Sequence, residues 1–340
     1  MIGFIFVFLA YAGLNSYIFL RIGSLLGIKK RILYLLIAIA TVAIPLSVFL
    51  ETVFPNILSR IFYIISALWL GIFFFSICLL MIYEVVRLFY QVPHAGLIIV
   101  ALVSLLTIIS IINAAGISIK EVEVPVENLE EEVTIVQLSD LHLGAVRNSG
   151  FLERVIDKTE ELNPDMVLIT GDMIDSSIHE KIFADFERIG APIYFVAGNH
   201  EVYEGIDKVY ELINGSNIRV LRNEVVLDGG VQIVGIEYQE INAIKELDLD
   251  RTKPSLLMYH SPEGIGYAKD AGIDLQLSGH THNGQIFPFN LFVRMRYKYI
   301  KGLYDLDGMM LYVSPGTGTW GPYMRLGSRN EITDLRLNPA

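Results

Sequence analysis

The chain has 340 residues, enough for two domains. Hydrophobic residues make up 53% and charged residues only 19%, which excludes a single soluble globule. The formal charge of −11 divides into +4 over residues 1–119 and −15 over the rest, and so acidic a remainder argues against a polynucleotide partner.

Four uncharged stretches come first: Met1–Leu20, Ile32–Leu50, Ile61–Tyr83 and Ala95–Ile119. Each approaches or exceeds the roughly 20 residues that cross a bilayer as a helix. Backbone in hydrocarbon must satisfy its own hydrogen bonds, so each stretch is expected to be helical, with Pro45 kinking the second. No Lys or Arg precedes Arg21, so the first reads as a retained helix rather than a signal peptide. Loop 21–31 carries four basic residues, and loops 51–60 and 84–94 carry one each, the latter with His94. The positive-inside rule then puts the first and third loops in the cytoplasm and the C-terminal part on the extracytoplasmic side of a cell membrane. No Asp, Glu, Lys, Arg or His lies within the four stretches, which favours an anchor over a transport path. Asn15 and Asn113 could join helices by hydrogen bonds, and Glu84 with Arg87 reads as an interfacial pair. The single cysteine, Cys78, allows no intrachain disulfide and identifies no compartment.

Beyond residue 119 the pattern changes. Segment 120–132 is acidic and polar, a linker or an edge strand. Strands are expected at 133–139, 166–170, 193–197, several within 217–236, and at 255–259, 275–278, 309–314 and 332–337. Helices are expected at 151–162, 182–189 and 206–213. Alternation of strand and helix marks parallel βαβ units. The reading is an α-helical transmembrane region over 1–119, a linker over 120–132 and an α/β domain over 133–340. In that domain two packed sheets are flanked by helices.

Five short segments of this domain hold five of the seven histidines. They are Asp140-Leu141-His142, Gly171-Asp172-Met173-Ile174-Asp175, Gly198-Asn199-His200-Glu201, Tyr259-His260 and Gly279-His280-Thr281-His282. Each follows a strand-like run, where ligands of open α/β sheets bind. Residues i and i+2 of an extended segment point the same way, so Asp140 and His142 can both reach one cation, and His280 and His282 repeat the i, i+2 arrangement after Gly279. Gly171 lets the chain turn before Asp172, whose two oxygens can bridge two ions. Imidazole with carboxylate or amide oxygen suits Mn, Fe, Zn, Co or Ni, and bound metals would let an acidic domain take a small phosphate ester.

In order and content these segments resemble the motif set of the calcineurin-like metallophosphoesterase superfamily. Residues 279–285 and the tail 312–322 are similar to a bacterial membrane-associated branch with a His-Thr-His-Gly-Gly-Gln motif, in which Asn283 here replaces the first glycine. The resemblance implies an α/β/β/α sandwich and two divalent metal ions. One would be held by Asp140, His142, Asp172 and His282, the other by Asp172, Asn199, His260 and His280. His200 would then be the proton donor to the leaving group, oriented by Asp175. The implied reaction is hydrolysis of a phosphomonoester, phosphodiester or pyrophosphate by a metal-bridging hydroxide. Ser176-Ser177 stands after Asp175 where the family's Ser/Thr protein phosphatases carry Arg-Gly, which disfavours that activity. Anchoring points to a lipid-linked small phosphoester and to membrane lipids as partners. The alternative is a non-catalytic metal-binding sensor or assembly module on the same anchor.

Other residues carry plainer readings. Asp175 could cap a following helix and Glu201 could start one, while His94 and His179 read as ordinary residues. Segment 286–304 interleaves aromatic with basic residues. It reads either as a strand with Phe292, Arg294, Arg296 and Lys298 on one face, or as a surface for anionic lipid or an amphiphilic ester.

Overall fold

The structure is a computed structural model that describes residues 2–175 and 180–340. Ser176, Ser177 and His179 lie outside the described residues. Two compact units emerge: residues up to Ile112 with Gly321–Leu326, and Asn113–Trp320 with Gly327–Ala340.

The first unit is built on helices α1 (Ile2–Leu26), α2 (Lys30–Val53), α3 (Ile57–Val86) and α4 (Ala95–Ala115). All four are long and apolar enough to cross a membrane. Pro45 lies inside α2, and Asn56 caps α3 by accepting from Leu58 and Ser59. The Trp69 indole donates to Asn15 at 3.1 Å, joining α3 to α1 through a polar pair within an apolar bundle. Glu84 accepts from both Arg21 and Arg87, so the expected pair is a three-residue cluster. The fourth apolar run stops being helix at Ala115, and Ile117–Ile119 already belong to a strand.

That strand is β1 (Ile117–Val126), followed by β2 (Val133–Leu138), β3 (Leu143–Gly144), α5 (Ser149–Leu162), β4 (Met166–Ile169) and β5 (Ile174–Asp175). A 3₁₀ segment (Glu180–Arg188), β6 (Ile193–Phe195), α6 (Asn199–Glu204), α7 (Ile206–Ile213), β7 (Ile218–Val220), β8 (Glu224–Asp228) and β9 (Val231–Gly235) come next. Then come a second 3₁₀ segment (Ile241–Glu246), β10 (Ser255–Met258), α8 (Ile265–Ala271), β11 (Leu275–Ser278) and a 3₁₀ turn (His282–Gly284). The chain closes with α9 (Phe289–Arg296), β12 (Gly302–Asp305), β13 (Met310–Val313) and β14 (Asn330–Pro339).

Two mixed six-stranded sheets result, ordered β1-β14-β2-β4-β6-β7 and β12-β13-β11-β10-β9-β8. Period-two alternation sorts the side chains of β2. Ile135 faces the core shared with Ile233, Leu256 and Leu277 of the other sheet. Val136 and Leu138 face α5 and the first 3₁₀ segment through Phe151, Val155 and Phe186. On the far side of the second sheet, Val234 and Leu257 pack on Ala268 of α8 and Ile244. The second unit is thus an α/β/β/α sandwich. Gln137, buried between the sheets, donates to Thr170 Oγ1 at 2.9 Å and to the Ser278 carbonyl at 3.1 Å, linking the two sheets near their carboxyl ends.

Two sequence expectations are corrected. Of the two readings of segment 120–132, the edge strand holds for its first part, which continues β1 and pairs parallel with β14 at the sheet's edge, while only 127–132 is a connection. Period-two burial of Val122, Val124 and Val126 accounts for the strand beneath its acidic composition. Segment 286–304 is not one strand but α9 followed by β12, and the rings of Phe289 and Phe292, three apart on the helix, meet at a tilt of 36°. No residue of α9 is buried, so its alternation of residue types reflects no sheet face.

Candidate metal centre

All five motif segments leave the carboxyl ends of parallel strands. Asp140 and His142 follow β2, Asp172 follows β4, Asn199 and His200 follow β6, His260 follows β10, and His280 and His282 follow β11. Neighbouring strands of each sheet therefore deliver the side chains to one rim.

The backbone there is unusual. Asp140, His142, Asp172, His280 and His282 all have positive φ, between 48° and 71°. Such conformations cost a side-chain-bearing residue on the order of 1–3 kcal/mol each, and Asp, Asn and His tolerate them best. Gly171 turns at φ 90°, and Asn283 at φ 50° keeps the left-handed turn where the related motif has glycine.

Two ligand groups form. In one, His282 Nε2 lies 3.3 Å from Asp140 Oδ1 and 3.1 Å from His142 Nε2. In the other, His260 Nε2 lies 3.2 Å from Asp172 Oδ2, from Asn199 Oδ1 and from His280 Nδ1. Asp172 Oδ2 is 3.9 Å from His142 Nε2 and so stands between the groups. Ligand atoms about 2.0–2.2 Å from one cation lie roughly 3–3.5 Å apart, so both groups fit a divalent ion. Buried imidazole nitrogens also face one another at 3.1–3.2 Å, the spacing that ligands of one ion share.

Charge follows burial. Desolvation pushes His142 down to about 4 and His280 down to about 3, leaving both neutral and available to a metal. Burial also opposes charge on His260, but Asp172 and Asp140 override it and raise the imidazole well above its ordinary value. Asp140 is raised to about 6 by burial, while the imidazoles hold Asp172 below its usual range despite burial.

His200 sits against the first group, its ring edge-on to His142 with centroids 4.6 Å apart. One of its ring nitrogens also lies within 4.8 Å of ligand atoms of His142 and Asp172. His200 Nδ1 faces Asp175 Oδ1 at 3.5 Å. Burial works against its charged form, but Asp175 and Asp172 prevail and raise its pKa. Asp175 closes β5, pairs with no helix among the described residues as a cap, and also approaches His142 Nδ1 at 3.9 Å.

The sequence reading missed several supports. Glu201 is fully buried and accepts backbone N–H groups from Gly198, Asp172 and Ile174 at 2.7–3.1 Å. It does start α6 as expected, but from the third helical position it also braces the Asp172 turn. Nε2 of His280 shares a 2.7 Å hydrogen bond with the Tyr297 hydroxyl. Gln285 and Trp320 exchange two hydrogen bonds of 2.9 Å, and the Trp320 ring stands edge-on to His200. The motif glutamine thus places the tail tryptophan at the site. Tyr203 and Tyr238 complete an aromatic rim beside His200 and His260.

A calcineurin-like phosphoesterase family model matches residues 133–284. An uncharacterized metallophosphoesterase of Aquifex aeolicus is 30% identical over 229 residues, covering 61% of this chain and 85% of that one. The chain belongs to the metallophosphoesterase family. Another uncharacterized member, from Helicobacter pylori, is 35% identical over 238 residues, covering 65% of this chain and 64% of the other. A Danio rerio relative is described as a transmembrane protein with metallophosphoesterase domain; it is 32% identical over 269 residues, covering 70% and 61%. The chain spans a little under two thirds of the length of the Helicobacter and Danio relatives. Members of this family bind divalent metals, and the His/Asp groups described above could hold them.

Proposed function

We propose that this protein is a membrane-anchored, two-metal phosphoesterase that hydrolyses a small phosphoester or pyrophosphate, with lipid-linked compounds the leading substrate class. The observation that carries this reading is the convergence of two ligand groups on Asp172 with His200 left beside them. Asp140, His142, Asp172 and His282 would hold one ion, and Asp172, Asn199, His260 and His280 the other. When bound, two such cations neutralise phosphoryl oxygens and acidify a water.

The chain's own residues supply the rest. His200 keeps Nδ1 toward Asp175, which leaves Nε2 to carry a proton to the departing oxygen. Its raised pKa keeps that proton in place nearer to neutral pH. Asp175 is a positioning residue that fixes the imidazole tautomer. Tyr203, Tyr238, Tyr297 and Trp320 line the rim with rings that offer apolar faces to a hydrophobic leaving group.

Anchoring by α1–α4 supports a substrate presented at a membrane, and loop charge supports an extracytoplasmic catalytic unit. A reporter fused after residue 120 tests the side: activity confined to the cytoplasm reverses the topology. Full-length protein loaded with Mn²⁺ and assayed on a generic phosphodiester tests the reaction. Two tightly bound metals without turnover on any phosphoester would favour the sensor reading instead.

A further inference from the structure

Helix α9 exposes Phe289, Leu291, Phe292 and Met295, and Phe287 beside it is exposed as well; Met295 is 84% accessible. Burying such side chains ordinarily stabilises a fold, yet none of α9 is buried. Basic residues follow at Arg294, Arg296, Lys298 and Lys301. Arg296 is held by Glu263 and Lys301 by Glu331. Arg294 and Lys298 are exposed and face no carboxylate among the described residues. From residue 120 onward there are 20 basic and 35 acidic residues, so these two stand out against their surroundings.

We infer that α9 docks into the interface of an anionic bilayer. Phe287, Phe289, Phe292 and Met295 would enter the headgroup–acyl boundary, with Arg294 and Lys298 on lipid phosphates. Exposed aromatic and aliphatic side chains on α9, with Arg294 on the helix and Lys298 just beyond it over the Tyr299 ring, match such a surface. A second copy of this acidic unit matches it poorly in charge. Chain connectivity supports the same occupant: only Gly116 separates the bilayer-length α4 from β1. The inference rests on the membrane-anchored reading above and adds which surface of the catalytic unit meets lipid.

The consequence for the site is direct. Tyr297 ends α9 and touches His280. At the other end, Asn290 packs so closely on Gly284 that a Cβ there would lie 2.3 Å from the Asn290 Cα. Gly284 ends the turn that carries His282, so α9 is fastened at both ends to the metal-binding segment. A bilayer holding α9 would bring headgroup phosphoesters to the mouth of the site.

The test uses the full chain in vesicles, with Cys78→Ser and a single fluorophore-labelled cysteine from Met295→Cys. Leu227→Cys in β8, also exposed, is the control position. Vesicles are phosphatidylcholine with or without phosphatidylglycerol, doped with nitroxide-labelled lipid as quencher. The expected result is strong quenching at 295 and little at 227 when phosphatidylglycerol is present. Arg294→Glu with Lys298→Glu should return the 295 signal to the control level. Equal quenching at the two positions, or a blue shift at 295 without lipid quenching, overturns the inference, the latter by showing a protein partner. Metal content and hydrolysis of a soluble ester, read on the same vesicles, report the two-metal reading separately.

Discussion

The Tyr297 hydroxyl and His280 Nε2 lie 2.7 Å apart, on the opposite side of the imidazole from the nitrogen that faces His260. A proton on Nε2 donated to the tyrosine oxygen leaves the Nδ1 lone pair aimed into the second ligand group. Removing such a support from a metal-ligating histidine typically costs about 10–100-fold in metal affinity or activity. Tyr297→Phe should weaken one of two metals selectively. Metal titration followed by elemental analysis checks this, and two equally weakened sites would refute it.

Asp172 Oδ2 lies 3.2 Å from His260 Nε2 and 3.9 Å from His142 Nε2, within reach of both groups. Asp172→Asn keeps the shape but removes the charge that holds His260 protonated in the metal-free site. Metal content should fall from two ions toward none, and turnover by at least about 100-fold. Retention of both ions in the purified variant would contradict the shared role.

His200→Ala should leave metal content unchanged and lower kcat by roughly 10²–10⁴-fold on esters with a poor leaving group. On a nitrophenyl ester, whose leaving oxygen needs no proton, the loss should be much smaller. Asp175→Asn should follow the same pattern less severely. An equal loss on both kinds of ester would remove His200 from the proton-donor role.

The stability that His142 contributes to the metal-free protein should be lost on acidification, while the raised carboxyls of Asp140 and Glu201 act in the opposite direction. His142 is held at about 4 in the folded chain against an ordinary 6.5, so the unfolded chain takes up this proton first. Folding therefore loses free energy as pH falls from 6.5 to 4, on the order of 3 kcal/mol for this residue. His280 acts in the same direction. His260 has the opposite sign: its folded pKa is raised, so its contribution is complete below 6.5 and is lost only as pH rises through the folded value. Thermal melting after chelation, with His142→Asn as comparison, checks this. The variant should show a shallower acid-side slope, and identical slopes would contradict it.

The clustering of the candidate ligands was legible because their chemistry is local. Each His or Asp lies a few residues past an apolar run, and a strand end is where such residues converge. The sandwich was legible for the same reason, since Val133–Leu138 and Leu275–Ser278 announce buried strands without reference to partners. What could not be read depends on contacts distant in sequence. Glu201 looks like an ordinary helix-starting acid until the Asp172 turn is folded over it. Tyr297 is one aromatic among several until α9 ends at His280. Alternating residue types over 292–298 imitate a strand because nothing in that segment is buried strongly enough to impose a period.

Left-handed backbone at five of the seven candidate ligands narrows what may replace them. Glutamate or glutamine would set a longer arm on a main-chain geometry that suits neither. Asparagine and glycine accept the geometry but give up charge or the ligand altogether. A relative without the ligands would therefore carry asparagine or glycine at these positions and keep the same loops.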